Sequence, residues 1–287
     1  MGILHRKEQN IMNAIDIKDV KVGYTKRTVI DELSVTIPEN KITTIIGPNG
    51  CGKSTLIKTV ARILKAEEGA IYLDGTSIQK MDTREIAKQM AILPQSADSP
   101  AGLSVFELVS YGRFPYRRRM GSMSAEDYEY INWAIEVTGL QSFRDRPISE
   151  MSGGQRQRVW IAMSLAQGTE ILVLDEPTTY LDLAHQLDVL MLLDKLNKLE
   201  KRTIVMVLHD LNHASRFSDY MIAMREGEII TDGPPEEVMT KGNLRDIFNI
   251  EADLTDCPYS GNPVYLSYHL SDSDDHLPSR NDDREVM

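Results

Sequence analysis

Cysteine is scarce in this chain. Cys51 and Cys257 are the only two among 287 residues, too few and too widely separated for a disulfide framework, and a reducing compartment is the simplest reading. Basic residues are in deficit as well: 32 Lys and Arg against 43 Asp and Glu leave a net charge of -11. Phosphate backbones select basic surfaces, so the net charge argues against a general nucleic-acid binder and no nucleic-acid partner is expected. No apolar run approaches the roughly 20 residues that a membrane-spanning helix needs. The first residues, Met1 to Asn13, are polar and lack the apolar stretch of a signal peptide. Any membrane association is therefore expected to come through a partner. What remains, 41% hydrophobic and 26% charged residues, is an ordinary globular composition with enough chain for a sizeable core.

Patterning divides the chain. Ala14 to Ile37 alternates apolar and polar residues in short runs, which predicts half-buried antiparallel strands. Ile42–Ile46, Ile171–Leu174 and Ile204–Leu208 are continuous apolar runs, and Ala91-Ile92-Leu93 is a shorter fourth. Such runs suit parallel strands covered on both faces by helices. Each of the four ends in polar or glycine-rich residues, and open α/β sheets bind ligands beyond the carboxyl ends of their strands. Between Ala97 and Gln167 the strand signal gives way to helical spacing (Phe106, Leu108, Val109; Tyr130, Ile131, Ala134, Ile135, Val137), which predicts a helical insertion. After Ala252 come a turn-rich segment, Cys257 to Pro263, and a strand-like Val264 to Tyr268. From Ser271 onward the chain is acidic and polar, the composition of a disordered tail.

The strongest motif is Gly47-Pro48-Asn49-Gly50-Cys51-Gly52-Lys53-Ser54, a phosphate loop after a strand and before a helix. Its glycines let backbone amides, with Thr55 beyond, curl around a phosphate at a helix N-terminus. Lys53 would reach the β- and γ-phosphates of ATP, and Ser54 would ligate Mg²⁺. The apolar set Leu56, Val60, Ile63 and Leu64 has the helical spacing that should follow. Cys51 sits in the loop, with nothing nearby to make it a reactive thiol. Asp175 and Glu176 follow the buried run Ile171–Leu174. Asp175 can hold the metal through water and Glu176 can polarise an attacking water, although adjacent carboxylates also suit a capped turn.

Ser152-Gly153-Gly154-Gln155 on its own reads as a capping box at a helix start. Placed before the carboxylate strand and followed by Arg156-Gln157-Arg158, it resembles the signature motif of ABC-type ATPases. The resemblance covers about Ala14 to Ala252, and Met151 stands where leucine is usual. It implies an α/β fold: an ABC-type nucleotide-binding domain with a RecA-like mixed and parallel sheet core, an antiparallel β-subdomain and an inserted α-helical subdomain at about 97–167. Residues 1–13 would then be an N-terminal extension and 253–287 a C-terminal one. It further implies that Tyr24 stacks on adenine and that Gln95 lies near Mg²⁺. Asp182 would belong to a loop crossing between two subunits, and His209 would contact the γ-phosphate. Ser152, Gly153, Gly154 and Gln155 would then contact ATP bound to a second copy, so the protein would act as a homodimer.

Local sequences narrow the resemblance. Pro94-Gln95, Leu103 to Val109, Tyr111 to Tyr116, Glu176 to Asp182, His185-Gln186 and Cys257 to Pro263 are similar to the ATPases of iron(III)-siderophore importers. Vitamin B12 and haem importers are near relatives, and a single-cassette ATPase of iron–sulfur assembly is the reading outside transport. An importer implies a permease whose coupling helix docks near Val105 to Arg119, at the cytoplasmic face of the membrane, and an extracytoplasmic substrate-binding protein beyond it. Arg113, Arg117, Arg118 and Arg119 form a basic cluster. It reads either as a solvated charge run or as a contact with the permease or with anionic lipid.

Overall fold

The computed structural model describes residues 13–24, 27–95, 102–117 and 122–271. The chain begins with β1 (Asn13–Tyr24), β2 (Arg27–Pro38), β3 (Ile42–Ile46), α1 (Lys53–Val60), β4 (Glu68–Leu73), β5 (Thr76–Ser77), α2 (Thr83–Gln89) and β6 (Met90–Leu93). Helices α3 (Val105–Ser110), α4 (Ala125–Val137) and α5 (Gly153–Ala166) follow. The chain then returns to strands with β7 (Ile171–Leu174), α6 (Leu183–Glu200), β8 (Thr203–Val207), α7 (Leu211–Phe217), β9 (Tyr220–Arg225) and β10 (Glu228–Gly233). It ends in α8 (Pro235–Val238), α9 (Lys241–Phe248), β11 (Ile250–Asp256) and β12 (Pro263–Leu270).

A six-stranded sheet in the order β10-β9-β3-β8-β7-β6 forms the centre, parallel except for β10. All residues of β3, β7 and β8 are buried, as their unbroken apolar runs predict. A four-stranded antiparallel sheet, β2-β1-β4-β5, packs beside it, and its alternating burial matches its alternating sequence. Helices α3, α4 and α5 lie between β6 and β7 as the expected insertion. Ser104, Ser124 and Ser152 each open one of these helices with a reciprocal capping box.

Three expectations need correction. Helix α1 stops at Val60, and Ile63, expected on its buried face, is 64% exposed beyond its end. The expected domain end at Ala252 falls inside β11, because Ile250, Ala252 and Leu254 continue a strand that pairs with β12. Arg113, the first of the arginine cluster, is not a solvated charge. Arg113 is 2% exposed, and its Nε donates to Asp127 Oδ1 at 2.8 Å. Its Nη1 reaches the carbonyls of Ala166 and Gln167, and its guanidinium lies 3.9 Å from the Tyr116 ring centre and 4.2 Å from that of Tyr130. Arg113 thus ties the 3-10 turn Tyr111–Tyr116 to α4 and to the end of α5. Arg118 and Arg119 lie outside the described residues, as do residues 1–12 and the acidic tail from Asp272.

Candidate active site

The phosphate loop begins where β3 ends. Gly47 (φ 148°) and Gly52 (φ 110°) need the left-handed backbone that side chains resist. A Cβ on Gly47 would also lie 2.2 Å from the Met224 carbonyl oxygen, so the loop closes onto β9 only with glycine there. Lys53 opens α1 and is 5% exposed, its ammonium donating to the carbonyls of Gly47 (2.7 Å) and Pro48 (2.8 Å). Both partners are neutral. No carboxylate is hydrogen-bonded to the ammonium, so its charge stays available to a phosphate.

Two carboxylates meet this loop from β7. Ser54 Oγ donates to Asp175 Oδ1 at 3.0 Å. Burial pushes the Asp175 carboxyl above its ordinary pKa; the Ser54 hydrogen bond opposes this and the neighbouring Glu176 charge adds to it. A hydroxyl and a buried carboxylate are hard oxygen donors, and a divalent cation would relieve the unfavourable burial of that charge. Among the described residues no group of three or more His, Cys, Asp or Glu could hold a metal by itself. The donor set therefore suits Mg²⁺, which keeps waters and takes phosphate oxygens alongside one or two protein ligands.

Glu176 adopts a left-handed backbone (φ 55°) and is gripped from three sides. His209 Nε2 lies 2.7 Å from Oε1, while Gln95 Nε2 (2.6 Å) and Thr179 Oγ1 (2.9 Å) donate to Oε2. Burial alone would raise its carboxyl pKa, but the His209, Thr179 and Gln95 hydrogen bonds outweigh burial and hold it below the usual range. The result is an oriented, ionised carboxylate beside the phosphate loop, the form a general base needs. Three strand ends deliver these groups: β6 carries Gln95, β7 carries Glu176 and β8 carries His209.

A cavity of about 930 Å³ runs from Glu176 and His209 along residues 48–55 to Tyr24. Tyr24 is 47% exposed at the end of β1, so it is a wall of the cavity and not part of the core. Arg225 and the end of α9, Ile247 to Asn249, line the same space. Neither these residues nor Thr179 were picked out from the sequence. Thr179 lies within a recognised motif but carries no distinctive spacing, and the α9 wall is over 200 residues from Tyr24 in the chain.

The remaining predicted residues are absent from this cavity's walls. Ser152 caps α5, accepting from Gln155 N while Gln155 Oε1 accepts from Ser152 N. A Cβ on Gly154 would lie 2.6 Å from His185 Cδ2, which ties the glycine to the start of α6. Asp182 caps α6 and accepts from His185 N and Nδ1. Beside it Tyr180 is 93% exposed and Leu183 76% exposed. Gln157 of α5 donates to the Pro177 carbonyl at 2.8 Å, linking this surface to the Glu176 loop. The capped start of α5, with exposed Tyr180 and Leu183 near Asp182, is thus a surface separate from the cavity of the phosphate loop and the carboxylates.

The pattern that defines the ABC transporter family matches residues 30–179. The iron(3+)-hydroxamate import ATP-binding protein FhuC of Bacillus subtilis is 56% identical over 259 residues, 90% of this chain and 96% of the relative. Among solved structures, an inward-facing metal-chelate type ABC transporter superposes with a TM-score of 0.77 at 25% identity, covering 88% of this chain and 96% of that one. A dimeric bacterial ABC transporter cassette superposes with a TM-score of 0.68 at 30% identity, covering 77% of this chain and 98% of that one.

Proposed function

The chain belongs to the ABC transporter family, and from that premise we propose that it is the ATP-hydrolysing subunit of an importer of iron(III)-siderophores, hydroxamate chelates being the first class to test. The observation that supports the cargo is the 56% identity to an iron(3+)-hydroxamate import subunit over 90% of the chain. In this reading ATP lies in the cavity with its base against Tyr24 and its phosphates on residues 47–55. Ser54 and Asp175, with Gln95 nearby, would hold Mg²⁺, which would supply charge neutralisation for the phosphates. Glu176 polarises the attacking water, and His209 steadies both Glu176 and the γ-phosphate. Ser152 to Gln155 of a second copy, with the loop around Asp182, would close each site. Phosphoryl transfer is largely positioning and charge stabilisation, so closure is itself the activating step and is available as mechanical work.

Among the described residues no helix is long and apolar enough to cross a membrane. The work would pass to a permease at the cytoplasmic face of the membrane, and through it to an extracytoplasmic substrate-binding protein. The candidate docking surface is the 3-10 turn Tyr111–Tyr116, where Phe114 is 72% exposed and Tyr111 44% exposed. Arg113, buried between them, holds the turn so that these rings face outward. Phe114→Asp is expected to abolish co-purification with the permease and to stop uptake, while basal ATPase activity of the isolated subunit stays within about twofold, since substitutions remote from the nucleotide leave its binding alone. Retained uptake by this variant would remove the turn from the interface.

The direct test of cargo is iron uptake in cells lacking this gene, supplied with radiolabelled hydroxamate and catecholate chelates and complemented with wild type or Glu176→Gln. Uptake of one chelate class restored only by wild type supports the proposal. Uptake unchanged across the panel, in cells without a redundant ATPase, would point to B12, haem or a task outside transport.

A further inference from the structure

We propose that the C-terminal hairpin β11–β12 is a latch on the catalytic switch: through Asn212 and Ser215 it holds α7 in place and so positions the His209 imidazole against Glu176. The proposal rests on the reading of His209 as a group that acts in hydrolysis.

The His209 side chain is 45% exposed, so close packing does not clamp its ring. Beyond its contact with Glu176, its placement comes from the backbone on either side. On the amino side stands β8, buried between β3 and β7. On the carboxyl side Asp210 caps α7, accepting from His213 N at 2.7 Å. Helix α7 has seven residues, too few to be stable unaided, so its position is set by what it packs against.

Its apolar side, Leu211, Ala214 and Phe217, is buried in the core against β3 and α6, and its polar side meets β12. The Asn212 side-chain amide pairs with the Tyr265 backbone as a neighbouring strand would: Nδ2 donates to the Tyr265 carbonyl (3.1 Å) and Oδ1 accepts from its N–H (2.9 Å). One turn later Ser215, fully buried, donates from Oγ to the Pro263 carbonyl (2.6 Å), and its own carbonyl accepts from Asn262 Nδ2 (2.6 Å). The Arg216 guanidinium covers the Tyr259 ring at the hairpin turn, 4.6 Å from its centre. Contacts on two successive turns fix both the rotation and the axial position of the helix.

The hairpin is itself anchored elsewhere. Ile250 and Ala252 of β11 are buried in the core that includes α9, Arg245 pairs with Glu251, and Lys241 pairs with Asp253 at 3.3 Å. Since the end of α9 lines the nucleotide cavity, the hairpin joins the Phe248 wall of that cavity to the helix behind His209. Asn212 and Ser215 do not line the cavity and are thus positioning residues.

The test compares Asn212→Ala and Ser215→Ala in the full-length protein, each also in a His209→Ala background, by single-turnover and steady-state ATP hydrolysis with melting temperatures recorded. A misplacement of about 1 Å at a reacting group can cost up to about 100-fold, so a fall in kcat of about tenfold is expected, with KM for ATP within about twofold. In the His209→Ala background the same substitutions should cost nothing further, because their route to the chemistry is gone. Asn212→Asp, which can still accept from Tyr265 N–H but cannot donate to its carbonyl, should fall between. An unchanged kcat in both single variants, or an equal loss with and without His209, would overturn the latch. Full activity of His209→Ala alone would overturn the reading of the switch together with the latch. An inactive His209→Ala beside fully active Asn212→Ala and Ser215→Ala would overturn the latch only.

Discussion

Glu176→Gln is expected to lower ATP turnover by about 10²- to 10⁴-fold, the usual contribution of a general base, and to accumulate an ATP-bound pair of subunits. Glutamine keeps the length of the side chain and can still receive Thr179 Oγ1 and face Gln95 and His209, so the surroundings of position 176 survive. What disappears is the negative charge that those three groups stabilise and that water must meet. Lys53, the phosphate loop and the Ser54–Asp175 pair are untouched, so nucleotide binding should persist. Phosphate release measures the first effect; size-exclusion chromatography with and without ATP measures the second. Normal turnover would remove Glu176 as the base, and a variant that fails to pair in ATP would separate hydrolysis from dimer closure.

Arg113→Ala is expected to destabilise the protein by about 3–5 kcal/mol, the cost of removing one partner from a buried ion pair. Asp127 would be left 5% exposed with only the Ser124 half of its hydrogen bonds, and the carbonyls of Ala166 and Gln167 would lose their donor. The Tyr116 and Tyr130 rings would lose the guanidinium between them. For a domain of this size that corresponds to a fall in melting temperature on the order of 10 °C. Arg113→Lys should recover only part of it, because an ammonium cannot reach the carboxylate and the two carbonyls in one planar fork. A melting temperature within about 2 °C of wild type for Arg113→Ala would return this residue to the solvated surface, as substitutions there are near neutral.

That residue marks the limit of reading along the chain. Arg113, Arg117, Arg118 and Arg119 look alike in sequence, and their spacing says charge, not burial. The acid that neutralises Arg113 lies in α4 and its carbonyl partners lie at the end of α5, so only the packing of the insertion distinguishes it from its neighbours. Thr179 is a similar case. It stands inside a recognised motif, yet its hydrogen bond to Glu176 depends on the left-handed backbone at Glu176 itself. Ile63 shows the opposite error: its spacing fits a helix face, but α1 ends at Val60, so Ile63 is exposed while Leu64 still packs against the core.

Features carried by short stretches of backbone were settled by the sequence alone. Gly47 and Gly52 demand a left-handed loop, unbroken apolar runs demand strands covered on both faces, and Ser152 with Gln155 demands a helix start, because each depends on φ, ψ or side-chain period within a few residues. The tertiary structure alone decided which side chains touch within the site that the motifs and the resemblance implied. It placed Gln95, Thr179 and His209 around Glu176, set Phe248 in the same cavity wall as Tyr24, buried Arg113 and joined β12 to α7. Those contacts are fixed by how sheets and helices pack, and no spacing along the chain encodes which side chains that packing brings within hydrogen-bonding distance.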